Sequence, residues 1–154
     1  RGVMIDVAKF FDKEILEPGR SISKDDLKRA SSSQGTEIMS GDVVLIRTGH
    51  MQIWPEKEFY IQKGGVPGIN LEAAKWLSDQ GIAMVGSDNF GVEVMPNSSI
   101  PVHCHMLVGQ GIHLIEILML EELSQTRTYE FLFVCLPLKL RGGTGSPVRP
   151  VAIV

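Results

Sequence analysis

The sequence predicts an α/β domain in which a mixed sheet is flanked by helices. Three observations support this class: short buried-strand patterns alternate with helix patterns, capping residues mark the helix starts, and glycines mark the turns. The chain has 154 residues, of which 44% are hydrophobic and 21% charged, a composition suited to one domain with a substantial core. We therefore expect a single domain over residues 1–154.

The strands are predicted from short runs of apolar residues bounded by turn signals. They cover residues 2–7, 43–48, 82–86, 112–117, 130–136 and 151–154. The last of these follows Pro150 and contains only apolar residues, so it is predicted as a buried final strand.

The helices are predicted from their end signals. Ser23 can cap a helix over residues 23–34, which Gly35 ends, and Asn70 can cap a second helix over residues 71–80. Proline suits a first helical turn, which places a third helix at residues 101–110. A helical turn is predicted at residues 118–123 and a long loop at residues 49–68.

Charge and composition argue against two kinds of partner, nucleic acid and membrane. The net charge is −3 and the basic residues are scattered, which argues against a nucleic-acid partner. No apolar run approaches the about 18 residues expected of a membrane helix, so no membrane partner is predicted. Cys104 and Cys135 form no spaced framework, which favours free thiols and a cytoplasmic location.

Glu116 is a candidate metal ligand. It lies within an otherwise mostly apolar run, and burying a carboxylate is costly unless it is paired or bound to a metal. Histidines precede it at positions 103 and 105, and imidazole nitrogen and carboxylate oxygen are good ligands for zinc or manganese. The alternative is that Glu116 lies at a strand end and reaches solvent or a local arginine.

Four segments in order give the chain a family resemblance. They are residues 41–49, Pro67-Gly68-Ile69 with the helix after it, Pro101-Val102-His103 followed by Gly111-Ile112 and Glu116, and residues 137–154. Together they resemble the metal-dependent cyclase-like hydrolases, the group of bacterial kynurenine formamidase and isatin hydrolase.

The resemblance implies a fold, an activity and a divalent cofactor. The fold is the swivelling β/β/α fold, the activity is hydrolysis of a small amide, and the metal is zinc or manganese. Relatives in this family associate, so a homo-oligomer is expected. The family's His-x-Gly-Thr-His-x-Asp metal motif does not occur in this sequence, and we expect the N-terminal portion of the domain to be absent.

The resemblance also implies the ligands, His103 and Glu116. Pro-Val-His context favours His103, whereas the spacing expected in the family would fall on Cys104, so Cys104 and His105 remain open as alternatives. Residues 103 and 105 of a helix point roughly 200° apart, so both cannot easily serve one site. The histidine not used as a ligand, His105, is the candidate for moving protons.

Three further residues are candidates for the substrate site. Thr48 is at the carboxyl end of one predicted strand and Asp88 follows another, and ligand sites of α/β sheets tend to lie at such ends. Asp88 has a structural alternative, which is to cap loop amides. Trp54 lies in the long loop, where it could shield the ring of a small-molecule substrate.

The favoured interpretation is therefore a metal-dependent hydrolase that acts on an aryl formamide or a cyclic amide. The alternative is a non-catalytic or incomplete fragment of such a protein that acts as a binding or structural module. The missing motif is the main support for this alternative.

Overall fold

A computed structural model describes residues 1–60 and 63–154. Its strands are β1 (Gly2–Asp6), β2 (Ser21–Ile22), β3 (Val43–Arg47), β4 (Gly68–Ile69), β5 (Met84–Ser87), β6 (His113–Ile115), β7 (Glu130–Val134) and β8 (Val151–Ile153). Its α-helices are α1 (Val7–Phe10), α2 (Lys24–Gln34), α3 (Leu71–Asp79), α4 (Pro101–His103) and α5 (Glu121–Gln125). A π-helix covers Cys104–Gln110, and two 3-10 turns cover His50–Ile53 and Lys57–Phe59.

Six of the strands form one mixed sheet in the order β6-β5-β3-β1-β7-β8. The first four strands in this order are parallel to one another, whereas β7 runs antiparallel to β1 and β8 antiparallel to β7. Strands β2 and β4 form a separate parallel pair. The predicted α/β class, with a mixed sheet and flanking helices, is confirmed.

The two faces of the sheet are covered unequally. On one face α2, α3 and the π-helix pack over the larger apolar cluster, which includes Leu27, Leu77 and Met106. On the other face a smaller cluster around Met4, Leu45 and Phe131 is covered by the segment that leads into α5. Parallel strands are normally covered on both faces, and here the second cover is thin.

The helix end signals act as the sequence predicts. Ser23 and Asp26 form a capping box at the start of α2, and Gly35 ends that helix in the left-handed region at φ 70°. The side chain of Asn70 accepts a hydrogen bond from the Ala73 amide at the start of α3. These local contacts explain why both helices begin where the sequence indicates.

The C-terminal strand differs from its prediction. β8 does join the sheet, but the prediction that this end is buried is wrong: Val151 and Ile153 are 47% and 53% exposed. The reason is topological, because β8 is the outer strand of the sheet and its Val151 and Ile153 point to the face opposite Ala152, away from the cluster around Met4. An all-apolar pattern does not distinguish a central strand from an uncovered edge strand.

The third predicted helix is also different. Only Pro101–His103 is α-helical, and the chain then continues as a π-helix. Elements α1, β2 and β4 were too short to predict from periodicity. None of the helices in the described part of the chain combines the length and the apolar character needed to cross a membrane.

Candidate active site

His103 lies at the end of α4, beside the carboxyl end of the parallel sheet. The helix starts at Pro101 after Ile100, which adopts the left-handed conformation at φ 38°. The backbone amide of Val102 donates to Glu93 Oε2 at 3.1 Å, so Glu93 fixes the first turn of the helix. The position of His103 is thus set by a buried carboxylate as well as by the helix.

His103 lies between two carboxylates. Its Nδ1 is 2.6 Å from Glu93 Oε1, and its Nε2 is 3.4 Å from Glu116 Oε1. The Glu93 side chain is fully buried, whereas that of Glu116 is 35% exposed. Because Glu93 is an acceptor, it holds the proton on Nδ1 and leaves Nε2 directed toward the open side.

The same arrangement sets the charge of the imidazole. Interaction with Glu116 raises the pKa of His103 above its ordinary value, burial opposes this, and the hydrogen bond to Glu93 raises it further. The ring is therefore protonated more readily than a free histidine, unless another cation binds it in place of the proton.

The segment 89–93 that carries Glu93 is held against β4. Asn89 donates to the carbonyl of Pro67 and accepts from the amide of Val92 at 3.0 Å. A Cβ at Gly68 would collide with the Glu93 backbone, so only glycine lets the two segments approach this closely. The Pro67-Gly68-Ile69 motif therefore has a physical role in placing Glu93.

The π-helix separates the three residues that the sequence left open as ligands. Cys104 is exposed, and its Sγ lies 3.8 Å from the Ser99 carbonyl oxygen. His105 Nε2 lies 2.9 Å from Ser78 Oγ on α3, so this ring is engaged on the helical side. A π-turn holds one residue more than an α-turn. It can therefore accommodate the one extra residue that separates His103 from Glu116 relative to the spacing expected in the family.

The side chains around His103 include nitrogen and oxygen atoms of the kinds that bind metal ions. A metal-binding histidine usually donates its second ring N–H to a carboxylate, as His103 does to Glu93. Glu116 adds an oxygen donor on the exposed side. Residues 1–60 and 63–154 contain no group of three or more such side chains that could hold an ion. His103 and Glu116 could thus supply two ligand atoms, fewer than a metal site built from protein side chains usually has.

Asp88 and Thr48 lie together at the carboxyl ends of β5 and β3. Asp88 Oδ1 accepts from the Thr48 amide at 2.9 Å and the Thr48 hydroxyl at 2.6 Å, while Oδ2 accepts from the Gly49 amide at 2.7 Å. Burial raises the pKa of Asp88, and these donors from Thr48 and Gly49 oppose it. Both side chains are fully buried, which favours the loop-capping alternative for Asp88.

Trp54 lies on the loop that Asp88 anchors. Its ring is 47% exposed and meets the rings of Phe59 and Tyr60 edge-on, with centroids 5.4 and 5.9 Å away. Beneath them His50 is fully buried, with Nε2 2.8 Å from the Phe59 carbonyl oxygen. Residues 61 and 62 of the predicted loop lie outside the described residues.

The sequence patterns did not predict the roles of two residues in this region, Glu93 and Arg47. Glu93 carries a signal in retrospect, because it is an acidic residue between Val92 and Val94. Arg47 lies within a predicted strand, and in the structure it is buried and pairs with Asp6 at 2.8 Å and with Glu121 at 2.7 Å. No local pattern links these three residues, which are far apart in the chain.

Comparison with known proteins identifies the family of this chain. A sequence model of the Putative cyclase family matches residues 1–94, which is more than half of the chain. The chain belongs to this family.

Relatives and solved structures agree with this assignment. The chain is 29% identical to the kynurenine formamidase of Bacillus cereus strain ATCC 14579 over 152 residues, 97% of this chain and 63% of the relative. A crystal structure of a novel cyclase superposes with a TM-score of 0.90 at 31% identity, covering 99% of this chain and 52% of the other.

Two further structures are related. One is described as a potential metal-dependent hydrolase with cyclase activity, with a TM-score of 0.68 at 26% identity over 96% of this chain and 61% of that one. An isatin hydrolase bound to the product analogue thioisatinate has a TM-score of 0.81 at 24% identity, over 99% and 59% of the two chains, and shows the shared fold. The chain thus spans between half and two thirds of the length of these proteins.

Proposed function

We propose that this chain forms part of a metal-dependent hydrolase that acts on a small amide, either an aryl formamide or a cyclic amide. The observation that carries the proposal is His103, which Glu93 holds from behind so that Nε2 faces Glu116. The similarity of the chain to a kynurenine formamidase and to a potential metal-dependent hydrolase supports the reaction class.

His103 and Glu116 would hold a divalent ion, zinc or manganese, through Nε2 and a carboxylate oxygen. Such an ion supplies Lewis-acid activation of water and of an amide carbonyl when it is bound. Glu93 keeps Nδ1 protonated, which leaves the lone pair of Nε2 free to bind a metal and increases the basicity of Nε2. The chain's own contribution is therefore an oriented imidazole and a partly exposed carboxylate.

The remaining predicted residues have supporting roles in this proposal. Asp88 and Thr48 fix the start of the loop, and the exposed ring of Trp54 would shield an aromatic substrate from water. Proton transfer by His105 stays a prediction. Because His105 is engaged with Ser78, we expect its replacement to be milder than that of His103.

The test compares metal content and turnover in the same preparations. In protein that contains a complete metal site, we expect zinc or manganese to support hydrolysis of N-formylaniline or isatin, and EDTA to abolish it. His103→Ala and Glu116→Gln should lower metal content and turnover together, with unchanged circular dichroism, whereas His105→Ala should retain more of both. Normal turnover and metal content in Glu116→Gln would remove Glu116 from the site.

A second candidate function is a non-catalytic binding or structural module. It is favoured by the absence of a third ligand in the described part of the chain and by the partial coverage of the relatives. Two protein ligands rarely hold a divalent ion against water, so residues 1–154 alone should bind metal weakly or not at all. Tight stoichiometric metal on these residues would overturn this ligand inventory.

We also propose that the protein forms a homo-oligomer. In the β7–β8 pair, Leu132 lies opposite Ile153 and Val134 opposite Val151, and all four side chains are exposed. A contiguous apolar surface of this kind usually marks an interface.

A further inference from the structure

A cavity opens next to Glu116, on the thinly covered face of the sheet. It has a volume of about 290 Å³ and lies between the segment leading into α5 and the strand β8. Of the thirteen described residues that line it, eleven are apolar, and the other two are Glu116 and Arg149. The cavity therefore combines an apolar wall with one carboxylate and one guanidinium.

Arg149 is available to a ligand. It is exposed, and it makes no salt bridge within residues 1–60 and 63–154. A guanidinium presents a planar fork of donors that matches the two oxygens of a carboxylate. The one cation in the lining is thus of the type that recognises an organic anion best.

The backbone around Arg149 is held in place. Pro150 fixes the following backbone angle, and Val151 then pairs with Val134 as β8 begins. On the other side, Ser146 Oγ accepts from the Leu138 amide at 2.9 Å. Arg149 is therefore presented from an anchored segment.

We infer that Arg149 binds the carboxylate of a small apolar or aromatic acid whose body lies in this cavity. The volume is near the lower end of the range of about 300–1,000 Å³ that is typical of ligand pockets, which suits a molecule of about one ring. This inference rests on the proposed function, because it makes the substrate an amide that also carries a carboxylate.

The two charged residues give the occupant a direction. The carboxylate of Glu116 repels an anionic group, while Arg149 attracts it, so the acid end is directed toward Arg149. The other end then faces Glu116, whose neighbour is His103. Arg149 would act as a specificity residue that favours anionic over neutral substrates.

The test is a binding comparison with benzoate and benzamide, which have the same shape but differ in charge. Isotope-labelled protein is titrated with each compound in EDTA, so that bound metal cannot contribute, and amide chemical shifts report the affinity and the place. We expect benzoate to bind about tenfold more tightly than benzamide, with shifts confined to the cavity. Equal affinities, or shifts elsewhere, would overturn the inference.

Variants assign the preference to one side chain. Arg149→Met should weaken benzoate about tenfold and leave benzamide unchanged, while Arg149→Lys should keep part of the preference. Arg141→Met is the matched control, because Arg141 is an exposed arginine of the same C-terminal segment that does not line the cavity. An unchanged preference in Arg149→Met, in protein with unchanged circular dichroism, would reject the role of Arg149.

This test separates the inference from the proposed function. Protein that binds benzoate through Arg149 but hydrolyses no amide would keep the inference about binding and reject the hydrolase. Protein that hydrolyses N-formylaniline, but whose Arg149→Met variant treats benzoate as the wild type does, would retain the hydrolase and reject the inference.

Discussion

His103 should make the stability of the protein depend on pH in a definite direction. Because its pKa is raised in the folded state, its charged form stabilises the fold fully below the unfolded value of about 6.5, and this contribution is lost as pH rises through the folded pKa. In metal-free protein, His103→Gln should therefore cost more stability at about pH 6 than at about pH 9. Urea unfolding of both proteins at both pH values measures this difference.

The control for this prediction is His113→Gln, since His113 is an exposed histidine on the nearby strand β6. Its free energy of unfolding at the same two pH values is the reference for replacing a histidine outside the Glu93–Glu116 pair. A loss in His103→Gln that grows with rising pH would contradict the assigned environment of the imidazole.

At the level of single residues, the sequence allowed only part of the candidate site to be predicted. The proximity of His103 and Glu116 agrees with the family's Pro-Val-His motif. The burial argument for Glu116 did not hold, because Glu116 lies just past the end of β6 with its side chain 35% exposed. Glu93 was not anticipated, because its contact with His103 depends on the close approach of two loops at Gly68. Tertiary contacts of this kind leave little trace in local sequence.

Arg47 joins three elements that meet at the carboxyl edge of the sheet. Its buried guanidinium bonds Asp6 at the end of β1 and Glu121 at the start of α5. Arg47→Met removes the cation and leaves a buried carboxylate without its partner, which should destabilise the fold by about 3–5 kcal/mol. Chemical denaturation measures the loss, and Arg127→Met, at an exposed arginine, should stay within about 0.5 kcal/mol of wild type.

The elements differ in how well the sequence predicts them. Helices α2 and α3 were found because Ser23 and Asn70 cap them through contacts within one turn. The exposure of β8 was not foreseen, since it depends on which strand lies at the edge of the sheet. The π-helix after His103 was also missed, because residue periodicity over so short a segment does not separate α from π.

The whole molecule should associate through the exposed face of the β7–β8 pair. We expect wild-type protein to sediment as a dimer or larger assembly, because Leu132 and Ile153 lie side by side and exposed on that face. Leu132→Lys with Ile153→Lys should shift it toward monomer, as light scattering during gel filtration would show. Val108→Lys is the control, since Val108 is equally apolar and 86% exposed but lies on the π-helix. A wild type that stays monomeric at all concentrations would exclude this interface.

The position of β1 inside the sheet has a consequence for how the chain folds. One neighbour of β1, the strand β3, follows it closely in the chain, but the other is β7, so that Gly2 lies opposite Phe131. Pairing of such distant segments has a large loop-closure cost and slows folding. During synthesis, β1 can therefore pair on one side only until β7 has left the ribosome. Until then its second edge stays open to other nascent chains, and a chaperone that shields this edge should raise the yield of native protein.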